Sequence, residues 1–145
     1  MAAKDVFHDV VKAALERDGW VITDDPLTIR VDSLTDLFID LGAEKLIAAE
    51  KENQKIAIEI KSFLGQSVVS EFHTAIGQFT NYRYALSDRE PERVLYLAVP
   101  ASIYDEFFTR PFIQSVIQRS RISLLIYNIE TGEIVRWQKQ SSTET

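Results

Sequence analysis

The sequence predicts an α/β fold in which a mixed β-sheet is flanked by helices. Helical patterns enclose a run of short β patterns, so that the order is an α-β-β-β-α-β core with C-terminal additions. Residues 94–99 are almost wholly apolar, which is typical of a central strand covered on both faces. An antiparallel group of strands joined through a long helix to such a strand gives a mixed sheet. Residues 1–145 are predicted to form a single domain.

The first helix is predicted over residues 5–18 and ends before Gly19. At about 100° per residue its apolar side chains gather on one side of the helix. Asp9 and Glu16 lie on the opposite side, as expected of a solvated face. His8 lies at the rim of the apolar side, where a packed and hydrogen-bonded histidine is the simplest interpretation.

Short β patterns bounded by turn residues follow the first helix. They occupy residues 20–23, 27–31, 37–42, 45–51 and 55–62. The polar tripeptide Glu52-Asn53-Gln54 separates the last two patterns, which predicts a hairpin with its tight loop at that point.

The longest helix is predicted over residues 68–86, with Glu71, Gln78 and Tyr82 along one flank of its apolar stripe. After the central strand, the pattern predicts a second helical stretch, a terminal hairpin and a polar tail. These elements occupy residues 102–119 with an interruption near Pro111, strands at 122–128 and 134–137, and a tail at 138–145 that is predicted to fray.

Composition limits the function classes that need to be considered. The longest apolar runs are far shorter than the roughly 20 residues that cross a membrane, so no membrane partner is expected. The N-terminus lacks the apolar segment of a signal peptide. Without cysteine the chain has neither disulfides nor a thiolate zinc site, and a cytoplasmic location is predicted.

The acidic balance of charge also matters. A net charge of −6 counts against an autonomous, nonspecific nucleic-acid binder, because such proteins carry a basic face. Any role on DNA must therefore use a local patch, a metal ion or a basic partner.

The most informative segment is the strand that ends in Glu59-Ile60-Lys61. Because side chains alternate across a strand, Glu59 and Lys61 lie on one face and the neighbouring isoleucines on the other. A partly buried charge needs an ion pair or a metal. Phosphodiester hydrolysis would use a carboxylate to hold a divalent cation and a lysine beside the scissile phosphate. A solvated salt bridge on an edge strand is the structural alternative.

This order of elements, with Glu59-x-Lys61 before the long helix, resembles the PD-(D/E)xK nucleases, which have the restriction-endonuclease-like fold. The resemblance implies that Glu59 binds metal and that Lys61 faces the phosphate. Gln78-x-x-x-Tyr82 is similar to a motif of RecB-type members, and its spacing places both side chains on one helix flank.

The family also places an aspartate across from the glutamate, typically a dozen or so residues upstream. Asp40 has a suitable local sequence but lies 19 positions before Glu59. A hairpin centred near Asn53 would instead place Leu46 opposite Glu59. Either a bulge at Gly42 brings Asp40 back, or Glu44 substitutes for it, with Asp40 preferred.

A second resemblance extends over the whole chain. Residues 39–51, 55–63 and 92–100, together with the opening segment around residues 4–20, are similar to the XisH family of cyanobacterial fdxN-element excision controlling factors. This resemblance implies a role in programmed excision of a DNA element during heterocyst differentiation, beside a companion protein, XisI, and a separate recombinase. The family name describes a genetic requirement and specifies no chemistry.

Two interpretations follow. In the first, the chain is a Mg²⁺-dependent endodeoxyribonuclease in which Asp40 and Glu59 hold the metal and Lys61 and Gln78 are catalytic. Tyr82 and His8 would contact phosphate or DNA. In the second, it is a non-catalytic nuclease-fold subunit that acts through protein contacts.

The partners implied by both interpretations are DNA and an XisI-like companion protein, and a homo-oligomer stays open. The large aromatic residues of two segments are predicted to form the surfaces that contact other proteins. These residues are Phe107, Phe108, Tyr127 and Trp137.

Overall fold

The computed structural model describes residues 3–47 and 52–140. The helices are α1 (Ala3–Arg17), α2 (Val68–Arg89), α3 (Ala101–Ile103), which continues as a π-helix over Tyr104–Phe108, and α4 (Pro111–Arg119). The strands are β1 (Val21–Asp24), β2 (Leu27–Asp32), β3 (Thr35–Ile39), β4 (Leu41–Ile47), β5 (Glu52–Ile60), β6 (Arg93–Pro100), β7 (Leu124–Asn128) and β8 (Glu133–Gln138).

Six of these strands form one sheet in the order β1-β4-β5-β6-β7-β8, within the part of the chain that the structure describes. The β5–β6 and β6–β7 pairs are parallel, and the other pairs are antiparallel. Strands β2 and β3 form a separate two-stranded sheet. The predicted mixed α/β sheet flanked by helices is therefore confirmed.

The main sheet separates two hydrophobic cores, and β5 contributes to both. Ile56, Ile58 and Ile60 join the core that contains the α1 side chains Val11 and Leu15. The intervening Ala57 belongs to the other core, with residues of α2 and the π-helix. The alternation of β5 side chains predicted from the sequence therefore directs Glu59 toward the α2 side of the sheet.

Local interactions fix the start of α2 near the end of β5. The Ser67 hydroxyl accepts a hydrogen bond from the Ser70 amide at 3.1 Å, as an N-cap. The Gly65 amide donates to Glu71 Oε2 at 2.6 Å. At the other end of the helix, Arg89 donates to the Val31 carbonyl at 2.9 Å and ties the small sheet to α2.

The predicted strand boundaries around residue 40 are wrong. One strand was expected over 37–42 and another over 45–51, but β3 ends at Ile39 and β4 runs without a break from Leu41 to Ile47. The expected loop at residues 52–54 is also wrong, since Glu52 begins β5 and Asn53 pairs with Leu46. Residues 48–51, which connect the two strands, lie outside the described residues.

The predicted aromatic contact surface is wrong as well. Phe107, Phe108 and Tyr127 are buried. Trp137 is half-buried, and its ring centroid lies 4.9 Å from that of Tyr96. These large side chains fill the two cores, whereas Phe112, which was not selected, is 72% exposed.

Part of the tail that was predicted to fray is ordered. Gln138 completes β8, and the Gln140 amide donates to Ser123 Oγ at 2.9 Å. Residues 141–145 of that prediction lie outside the described residues. None of the described helices is both long enough and apolar enough to span a membrane.

Candidate functional site

Asp40 and Glu59 are brought together by the register of the β4–β5 hairpin. Leu41 pairs with Ile58, so that the residue preceding β4 lies beside Glu59. The Asp40 amide donates to Glu59 Oε1 at 3.3 Å, and the Ile60 amide donates to Asp40 Oδ2 at 2.7 Å. These two bonds hold both carboxylates at the end of β5, and the β4–β5 pairing has no bulge at Gly42 of the kind that the sequence suggested.

Glu59 lies in an environment that disfavours its negative charge. It is 6% exposed. Burial first, and then the nearby negative charge of Asp40, raise the pKa of Glu59 to about 7, although Lys61 and the Asp40 amide partly offset both effects. Near neutral pH the carboxyl group is therefore balanced between its protonated and ionised forms. A perturbed acid in a cleft is a common feature of functional sites.

Lys61 lies just beyond the end of β5. Its backbone amide donates to the Ala98 carbonyl at 3.1 Å, which continues the pairing with β6. Its Nζ lies 3.6 Å from Glu59 Oε2. The strand end therefore presents a lysine ammonium beside the two carboxylates.

Helix α2 brings the side chain of Tyr82 close to the two carboxylates. The pKa of the Tyr82 phenol is raised to about 12, first by burial and then by the charges of Glu59 and Asp40, which places the phenol close to both. Gln78 lies one helical turn before Tyr82 on the same flank. Its buried Oε1 has no hydrogen-bond partner among the described residues. A buried amide oxygen without a partner is costly, and its partner would be an ordered water or a ligand.

A cleft of about 220 Å³ opens at the end of β5, beside Asp40 and Lys61. His8, Asp40, Lys61 and Glu71 contribute to its lining. His8 Nε2 lies 2.8 Å from Asp25 Oδ1, so a hydrogen bond with Asp25, between β1 and β2, holds the imidazole at the cleft. The prediction of a packed and hydrogen-bonded His8 at the rim is confirmed.

Glu71 was not selected from the sequence as a site residue, although its position on the flank of Gln78 and Tyr82 was a usable signal. The structure places Glu71 in the lining of the cleft. It does not bring Glu44 to the same place. Glu44 pairs with Lys55, about 13 Å along the strand from Asp40 at 3.3 Å per residue. The alternative in which Glu44 replaces Asp40 therefore does not fit the observed register.

The donor set suits a hard divalent cation with few protein ligands. Mg²⁺ is typically bound through one or two carboxylates, with water and substrate oxygens completing its coordination. Asp40 and Glu59 provide those two carboxylates. Within residues 3–47 and 52–140, no group of three or more His, Asp or Glu side chains is arranged to hold a metal ion. The described residues thus offer a site of two carboxylates.

Comparison with known proteins decides the family. The family profile described as XisH protein matches residues 1–135. The chain belongs to the XisH family. No curated protein matches it.

Two solved XisH structures are closely similar to this chain. An XisH family protein from Nostoc punctiforme is 51% identical, with a TM-score of 0.85, and the match covers 93% of this chain and 100% of that one. A protein from Anabaena variabilis described as an fdxN element excision controlling factor is 51% identical, with a TM-score of 0.84. That match covers 93% of this chain and 99% of the other. The predicted XisH membership is confirmed.

Proposed function

We propose that this XisH protein acts in programmed DNA excision and that its Asp40–Glu59–Lys61 site hydrolyses phosphodiester bonds with the help of Mg²⁺. The observation that supports this most directly is the pair of backbone hydrogen bonds, from the Asp40 amide to Glu59 and from the Ile60 amide to Asp40, that set Asp40 beside Glu59. Lys61 Nζ lies 3.6 Å from the glutamate. The arrangement agrees with the site residues expected from the resemblance to the PD-(D/E)xK nucleases.

Asp40 and Glu59 would hold the metal ion, which when bound supplies Lewis acidity to the phosphate and lowers the pKa of water. Lys61 supplies a positive charge at the same strand end, where it orients the attacking group and offsets charge on the phosphate. Gln78 and Tyr82 face the reacting strand from α2, and His8 contacts DNA from α1. Each residue thus keeps the role that the resemblance implies.

The biological setting is part of the same proposal. The Anabaena variabilis relative is described as an excision controlling factor for the fdxN element. We assign this chain to a DNA rearrangement of the same kind in a cyanobacterial cell, during heterocyst differentiation. DNA and an XisI-like companion protein are its partners, and the companion supplies the positive charge that a chain of net charge −6 lacks.

A second candidate function has its own support. Both oxygens of Glu59 already face protein groups, Oε1 accepting from the Asp40 amide and Oε2 lying near Lys61 Nζ. A carboxylate whose two oxygens already contact protein groups suits a non-catalytic nuclease-fold subunit that acts through protein contacts. A measurement of metal binding distinguishes the two candidate functions.

Calorimetric titration with Mn²⁺ and Mg²⁺ tests the metal site. Even an outer-shell partner is typically worth roughly ten- to a hundred-fold in metal affinity, so Asp40→Asn should weaken binding by at least as much. Glu44→Gln is the matched control, because it removes a carboxylate from the same strand pair outside the site. Equal affinities for all three proteins, or no binding by the unsubstituted chain, would favour the non-catalytic subunit.

A second test concerns Gln78, whose buried Oε1 has no partner among the described residues. Because Oε1 accepts no hydrogen bond from the described residues, Gln78→Ala should change the melting temperature little while it lowers the rate of Mg²⁺-dependent DNA nicking. Asn81→Ala, an exposed position on the same helix, is the control. A large fall in melting temperature with an unchanged rate would assign Gln78 to the core instead.

A further inference from the structure

A second cleft, of about 470 Å³, lies away from the carboxylate site. It is formed where the C-terminal half of α2 faces the start of β6, the residues before β7 and the segment after β8. The two clefts have no lining residue in common. On the sheet, Arg93 at the start of β6 pairs with Lys55, whereas Glu59 pairs with Leu97 four residues further along.

The lining of this basic cleft contrasts with the acidic chain around it. Arg83, Arg93, Arg121 and Lys139 contribute to it, and no Asp or Glu is among the described residues that line it. The chain as a whole has 22 acidic and 16 basic residues. A concentration of cations in a concave site focuses the electrostatic potential and attracts anions.

The cations are held in place by the fold. Arg83 Nη1 donates to the carbonyl oxygens of Ser120 and Arg121 at 2.6 and 3.1 Å. These bonds fix the guanidinium, which lies 5.7 Å from the centroid of the Phe79 ring. A guanidinium has five N–H groups, so Arg83 keeps donors for a ligand.

The other walls are fixed in the same way. The side chain of Arg93 is 5% exposed and is paired with Glu90 at 2.8 Å, so it shapes the floor of the cleft without leaving a net charge there. The Gln140 amide donates to Ser123 Oγ, which holds the segment that contains Lys139 against the start of β7.

We propose that the basic cleft binds a phosphate monoester of mononucleotide size. Its volume lies within the roughly 300–1,000 Å³ typical of small-molecule sites. The guanidinium of Arg83 and the ammonium of Lys139 would receive the phosphate. Tyr84, which is 62% exposed and also lines the cleft, offers an aromatic face for a base. A free nucleotide and the 5′-phosphorylated end of a DNA strand have this chemistry in common.

Calorimetry with AMP, adenosine and a 5′-phosphorylated dinucleotide tests the site on the full chain. We expect saturable binding of AMP or of the dinucleotide with a Kd below about 1 mM, and none of adenosine. Tighter binding of the dinucleotide would assign the cleft to DNA ends, and tighter binding of AMP would assign it to free nucleotides.

Substitutions then locate the binding. Lys139→Gln should weaken it roughly ten-fold, the typical worth of one charge-assisted hydrogen bond. Arg83→Gln should do the same, with its melting temperature measured because two carbonyl contacts are lost. Arg119→Gln, an equal charge change at an exposed position outside the cleft, should leave affinity unchanged.

Three results with these probes and variants would overturn the proposal. They are the absence of binding by every phosphorylated probe, binding of adenosine as tight as that of AMP, and a loss of affinity in Arg119→Gln equal to that in Lys139→Gln. A short glutamate peptide that bound as tightly as AMP would also overturn it, because the cleft would then recognise negative charge without phosphate.

Discussion

Glu59→Gln should stabilise the protein more at pH 8 than at pH 4. The difference in free energy of unfolding between the variant and the unsubstituted chain should be larger at pH 8 by up to about 3 kcal/mol. The reason is that burial and the charge of Asp40 raise the pKa of Glu59 to about 7 in the folded protein, compared with 4.5 for an ordinary glutamate. Ionising this carboxyl group therefore costs more in the folded state than in the unfolded chain. A neutral amide avoids that cost.

The sign follows from proton counting. Between pH 4.5 and about 7 the folded protein keeps the Glu59 proton that the unfolded chain has released, so stability falls as the pH rises through this window. Below the window both states are protonated and the cost vanishes. Urea unfolding at several pH values in metal-free buffer measures the effect as the difference between the variant and the unsubstituted chain.

Glu44→Gln provides the control, because it makes the same chemical change on the neighbouring strand. A difference between Glu59→Gln and the unsubstituted chain that stays constant from pH 4 to pH 8 would contradict the raised pKa. So would a matching pH-dependent difference in Glu44→Gln.

Lys61→Met should lower the rate of Mg²⁺-dependent DNA cleavage by roughly 10²- to 10³-fold, the usual effect of removing one electrostatic group from an active site. Methionine keeps the unbranched stem and removes the charge that lies 3.6 Å from Glu59 Oε2. Because Lys61 lowers the pKa of Glu59, its loss should also shift the pH–rate profile toward alkaline pH.

Lys55→Met is the matched control, since Lys55 lies on the same face of β5, four residues before Glu59. Nicking of supercoiled plasmid across a pH series gives both the rate and the profile. An unchanged profile with a reduced rate would indicate that Lys61 contacts DNA without influencing Glu59. Unchanged rates in both variants would remove Lys61 from the catalytic role.

Much of the fold was accessible from the sequence because strong periodic patterns define its elements. The isoleucines of β5 predicted a strand with one face in a core, the apolar run of β6 predicted a central strand, and both strands form. The residues that would converge at the strand end were also predicted. Burial, and after it the charges of Glu59 and Asp40, raise the pKa of Tyr82, which lies on the predicted flank of α2.

The register of the hairpin could not be derived in the same way. The polar segment at residues 52–54 has the composition of a loop, yet pairing with β4 overrides that preference and makes Glu52 the start of a strand. A shift of the loop by a few residues changes which acid faces Glu59. Only the paired backbone distinguishes Asp40 from Glu44.

The prediction that the large aromatic residues form a contact surface was also wrong. A sequence pattern shows that Phe107 and Phe108 are large and adjacent, but it does not show that the π-helix turns both inward. Their rings pack edge-to-face with each other and with Phe72, at 5.4–5.7 Å between centroids.

The participation of β5 in both cores has an evolutionary consequence. A slip of one residue against β4 would turn every side chain of the strand to the opposite face, so that isoleucines and Glu59 would exchange environments. Such a change would expose apolar side chains and destabilise the fold. Selection for stability alone would therefore preserve the spacing between the two carboxylates, whether or not they are catalytic.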